Sequence, residues 1–139
     1  MNRADDFGNE ALDPRVAKDK PGFPCRACLR DAEVGERLLL CSFTPFVKPG
    51  PYRAIGPVFL HERSCDPFID RGEVPEILRT RLVSLRAYDD REELRSAEVV
   101  DGGLALIEQA TAMFSDPRIH HIDVHLARPG CFACRLERS

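Results

Sequence analysis

Along the chain, apolar positions recur with a period of two more often than with a helical period. "ERLLLCSF" (Glu36 to Phe43) is a short apolar run bounded by Gly35 and Pro45, and predicts a buried strand. "FVKPGPYRAIGPVFLHE" breaks at Pro49, Gly50 and Pro51, then predicts a second strand from about Tyr52 to His61. Gly56 and Pro57 interrupt it, which argues for a bulge or a sheet edge. "RLVSLRAY" sets Leu82, Ser84, Arg86 and Tyr88 against Val83, Leu85 and Ala87, and "SAEVVD" (Ser96 to Asp101) follows as another strand. "RIHHIDVHLA" (Arg118 to Ala127) alternates again, and after a Pro129–Gly130 turn "CRLER" can add a last strand.

Helical spacing is confined to two places. "GGLALIEQATAMFSDP" puts Leu104, Ile107, Ala110 (or Thr111) and Phe114 on one face of a principal helix over about 102–115, closed by Pro117. "VPEILRTR" predicts a short helix over about 75–80, with Pro75 in its first turn. Residues 1–22 show no clear periodicity and are expected to be irregular. The links between strands are too short for repeated helical crossovers. The expected fold is therefore α+β: one domain over 23–139, a mostly antiparallel sheet with one principal helix.

Composition adds limits. With 139 residues and 43% apolar side chains the chain can bury a core without cross-links. A net charge of −3 disfavours nucleic acid as a partner, leaving a protein partner as the open possibility. No stretch reaches the ~20 apolar residues needed to span a bilayer. "MNRADDFGNEALDPRVAKDK" has no basic start followed by an apolar run, so the expected location is the cytoplasm. There, six cysteines point to reduced, metal-bound or catalytic thiols rather than structural disulfides.

Two C-x-x-C pairs carry the candidate chemistry: Cys25/Cys28 in "FPCRACLR" and Cys131/Cys134 in "ARPGCFACR". A C-x-x-C turn aims two thiolates at one tetrahedral metal, and two such turns complete a four-thiolate zinc site. The leading expectation is that all four cysteines share one zinc. Mixed ligation is the alternative, because "HERSC" places His61 and Cys65 where either can join Cys25/Cys28. Glycine often follows the second cysteine of a zinc knuckle; here those positions are Leu29 and Arg135. Cys41, within an apolar strand, is expected to be a small buried hydrophobe. On the strand "HHIDVH", His121, Asp123 and His125 share a face and could bind a divalent metal or exchange protons, or simply be solvated. "DDREELRSAE" is expected to be solvated surface.

Four segments, "GFPCRACLRDAEVGERLLLCSFTPF", "YRAIGPVFLHERSC", "VPEILRTRLVSLRAY" and "ARPGCFACR", resemble in this order an uncharacterised bacterial family, domain of unknown function 1203. The resemblance covers about Gly22 to Arg138 and implies a single intracellular domain. It brings no activity, ligand or catalytic residue. Three roles stay open: a zinc-stabilised binding or accessory domain, a thiol-redox protein or enzyme, and a protein-interaction domain with incidental cysteines.

Overall fold

A computed structural model describes residues 13–63, 65–70 and 72–138. Seven strands form two antiparallel sheets, with one α-helix and one 3-10 turn among the described residues. The chain divides into two compact units, and each is built from two stretches: 1–44 with 55–77, and 45–54 with 78–139.

The first unit carries the sheet β1 (Asp13–Val16), β2 (Arg37–Phe43) and β3 (Gly56–His61), in the order β1-β2-β3. β1 falls where irregular chain was expected; its backbone pairs with β2 from Asp13↔Leu40 to Val16↔Arg37, although its side chains are exposed. Residues 1–12 of that segment lie outside the described residues. Among the strands of the described residues β3 pairs only with β2, so Pro57, which has no N–H to give, stands on an edge strand whose other side takes a single bridge from Cys25 at Phe59. The strand starts at Gly56 rather than Tyr52. Ala17, Ala32 and Leu38 make the core, with Phe23 and Phe59 packed on it at 5.3 Å between ring centres.

The expected short helix shrinks to a single 3-10 turn, Glu76–Leu78. In the second unit β4 (Leu82–Tyr88), β5 (Leu94–Asp101), β6 (His121–Leu126) and β7 (Phe132–Glu137) form a sheet in the order β5-β4-β6-β7. Helix α1 (Leu104–Phe114) follows β5 and packs on β5 and β4. Its buried side is Leu106, Ala110 and Met113, whereas Leu104 and Ile107 are exposed. The apolar stripe is thus rotated from the expected one. The backbone N–H groups of Gly102 and Gly103 donate to the carbonyls of Arg81 and Leu78, fixing the entry to the helix. A Cβ on Gly102 would stand 2.0 Å from the Leu78 oxygen, so only glycine fits there. Arg138 closes the other end, donating to the carbonyls of Phe114, Asp116 and Ile119.

The stretch 45–54 straps onto this unit. Glu92 accepts from the backbone N–H groups of Val47 and Lys48, and Arg135 donates to the carbonyl of Pro45. Phe46 meets Tyr88 edge-on at 5.3 Å. The charge run is therefore not all surface: Asp89 and Glu92 are buried. Asp89 accepts from the N–H groups of Arg91 and Glu93 and from Arg95, which holds its carboxyl below the usual range. No helix among the described residues is long and apolar enough to cross a membrane.

Candidate metal centre

The first cysteine pair sits in a tight turn between two backbone anchors. Cys25 donates its N–H to the carbonyl of Arg30, and Arg26 donates to Phe59 on β3. Leu29 closes the turn by donating to the carbonyl of Cys25, and does so with φ +56. This left-handed conformation is the one a knuckle glycine adopts; here a leucine accepts the strain, its side chain buried. The result is that N–H groups of Ala27 and Cys28, together with that of His61, point at the Cys25 sulfur. Burial pushes the Cys25 thiol up, but these donors outweigh it and settle it at about 7.

His61 ends β3, and Cys65 follows in the next loop, which is tied back by Phe68 donating to the carbonyl of Ala27. Cys25 Sγ lies 3.8 Å from Cys65 Sγ, and Cys28 Sγ lies 3.7 Å from His61 Nδ1. All four ligand atoms fall within 4.8 Å of one another. Burial and the neighbouring Cys25 and Cys28 sulfurs push the Cys65 thiol up to about 12. One thiol down and its neighbour up means the sulfurs share a limited amount of negative charge, since like charges in contact oppose joint ionisation.

The donor set fits a tetrahedral soft cation. Zinc–sulfur bonds of about 2.3 Å require sulfur–sulfur edges of about 3.8 Å, the separation found between Cys25 and Cys65. Behind the ring, Glu36 Oε1 lies 3.4 Å from His61 Nε2 and accepts from the N–H of Glu33, which holds its carboxyl below the usual range. With the carboxylate on the Nε2 side, Nδ1 is the nitrogen that faces the sulfurs. The Cys28 sulfur beside Arg30 holds that guanidinium above its usual range. A cavity of 490 Å³, bordered by Arg30, Glu36, His61 and Cys65, opens beside the cluster.

Within the first unit the donors that gather with Cys25 and Cys28 are His61 and Cys65. Among the described residues the one group of metal-competent side chains is Cys25, Cys28, His61 and Cys65. Cys131 and Cys134 belong to the second unit. Cys134 lies on β7 opposite Val124, and Cys131 precedes the strand, so this C-x-x-C is extended rather than turned. Burial pushes the Cys131 thiol up, away from reactivity. Cys41 is half-buried on β2, its thiol 3.8 Å from the Val58 carbonyl.

His121, Asp123 and His125 do share a face of β6, but that face is buried, with Asp123 at 0% exposure. Asp123 binds Arg135 through both oxygens, at 2.7 and 3.2 Å. His121 stacks on Tyr88 and shares an Nδ1–Nδ1 contact of 2.9 Å with His120. Burial pushes both His121 and His125 below the ordinary imidazole range, with Arg135 and Arg86 adding to it. They form no metal cluster. Sequence reasoning missed Glu36 and Arg86 and did not pair Arg135 with Asp123, because these contacts depend on tertiary placement that spacing does not encode.

A family model described as "Protein of unknown function (DUF1203)" matches residues 22–138. No curated protein matches the chain, and no solved structure does. The chain belongs to the DUF1203 family, as its four resembling segments imply.

Proposed function

We propose that this DUF1203 chain holds one structural zinc ion on Cys25, Cys28, His61 and Cys65, and acts as a metal-stabilised binding or accessory domain. The observation that carries this reading is the pair of ligand separations, 3.8 Å for sulfur–sulfur and 3.7 Å for sulfur–nitrogen. Three thiolates and an imidazole close the shell of a tetrahedral ion, and a closed shell leaves no position for substrate. The ion would supply a cross-link joining the C-x-x-C turn to β3 and the loop beyond it.

Metal analysis of untagged protein tests the reading, with one zinc per chain expected and less than about 0.2 overturning it. Cobalt substitution adds the ligand identity: thiolate-to-cobalt absorption is expected, and its loss in Cys65→Ser but not in Cys131→Ser separates the mixed set from the four-thiolate set. Thiol counting gives a third readout. Of six cysteines, three are ligands in this reading, so a thiol reagent should reach at most Cys41, Cys131 and Cys134 in the folded, metal-loaded chain and all six once denaturant and chelator are added.

A second reading has one observation in its favour. Cys25, settled at about 7, lies 3.8 Å from Cys65, a geometry open to a dithiol–disulfide couple. A stable zinc complex that resists a mild disulfide oxidant sinks this reading.

A further inference from the structure

The polar face of the second sheet has an imbalance that its own residues do not resolve. Asp123 stands in register between Arg86 on β4 and Arg135 on β7. Both carboxylate oxygens go to Arg135. Arg86, half-buried, is left with one hydrogen bond among the described residues, from Nε to Ser84 Oγ at 3.4 Å. Glu92 and Glu137 act on Arg135, at the end of the face away from Ser84. A guanidinium without a carboxylate therefore sits on a partly desolvated sheet.

Next to it is a second unmet group. His125 lies directly opposite Ser84, and its Nδ1 is 3.2 Å from the carbonyl of Gly130. A carbonyl can only accept, so Nδ1 carries the proton and Nε2 presents a lone pair. That Nε2 is buried and has no hydrogen-bond partner. Because Arg86 donates to Ser84 Oγ, the serine hydroxyl keeps its own proton to donate elsewhere. The cross-strand neighbours of Arg86 and Ser84 on β5 are Ala97 and Val99, one small and both exposed, so this end of the face is open on that side.

We propose that Ser84, Arg86 and His125 form a binding site for a phosphate group. Arg86 and Ser84 donate to two phosphate oxygens, and the acidic proton of the third goes to His125 Nε2. A phosphate monoester, with a second ionisation near ~6, still carries that proton on part of its population at near-neutral pH. Sulfate and carboxylate carry none there, so they satisfy the two donors and leave Nε2 unmet. The site is independent of the metal centre, which belongs to the other unit.

The test is calorimetric titration of the full, metal-loaded chain with inorganic phosphate, sulfate and acetate at pH 6.5 and constant ionic strength, followed by nitrogen NMR of the His125 ring. Phosphate is expected to bind at least tenfold more tightly than sulfate or acetate, with His125 Nε2 moving from a lone-pair to a proton-sharing signal. Arg86→Gln should weaken phosphate at least tenfold at unchanged Tm. Should that variant unfold, Arg86→Lys, which keeps the charge and loses the fork, should still weaken binding. Equal binding of sulfate and phosphate, no binding beyond chloride, or a folded Arg86 variant with unaltered affinity overturns the site.

Discussion

At Cys25–Cys28 the chain turns, whereas at Cys131–Cys134 it runs out of a hairpin into β7. The spacing is the same, and an arginine follows each pair within two residues. In the first copy Leu29 goes left-handed and three N–H groups collect around one sulfur, so that His61 and Cys65 complete a four-donor cluster. In the second copy Cys134 is committed to a ladder opposite Val124. The ladder steps over Ala133 at an irregularity, so strand pairing and not a tight turn sets where these two cysteines stand. Convergence of ligands is thus a property of the turn and not of the motif. The strand β6 repeats the lesson: His121, Asp123 and His125 share a face, yet each answers a different neighbour.

Breaking each copy should separate them most sharply. Cys25→Ser is expected to abolish metal binding and unfold the first unit, because binding of a structural zinc contributes on the order of 10 kcal/mol to folding. Cys134→Ser should cost about 1 kcal/mol. Circular dichroism melts of both variants check this, and equal losses would erase the contrast. Next in size is the strand's own charge pair. Asp123→Ala leaves Arg135 facing a buried sheet without its carboxylate and should cost about 3 kcal/mol, measured by urea unfolding.

A smaller effect tests the support behind the turn. Glu36→Gln should lower zinc affinity about tenfold, read by competition with a chelating dye, with the fold retained. The smallest is a pH effect on the strand. His121 and His125 titrate below 6.5 in the fold because burial disfavours their charge. The unfolded chain then takes up protons first, so stability present above 6.5 is lost as pH falls below it. His125→Gln should flatten that slope in denaturant titrations between pH 7 and 5.

Periodicity carried much of the fold. β2, β4, β6, β7 and α1 stand close to where alternation and helical spacing put them, since each has one face that must be apolar. The phase of α1 was not legible, because Leu104 and Leu106 are equally apolar and only contact with β4 and β5 selects the latter. Cys25, Cys28, His61 and Cys65 were all visible as ligand types, and "HERSC" marked the pair that joins. What local sequence does not encode is which segments meet. The choice between Cys131/Cys134 and His61/Cys65 rests on β3 pairing with β2 and on Cys25 bridging to Phe59, contacts between segments far apart in the chain.

The strap at 45–54 has a practical corollary. Neither unit is a continuous length of polypeptide, so no single cut yields either one whole. A shortened chain starting at Leu78 would deprive Glu92 of two amide donors and Arg135 of the Pro45 carbonyl. Dissecting the molecule by truncation would therefore report on missing threads as much as on missing modules. Point substitution is the cleaner instrument for assigning roles here.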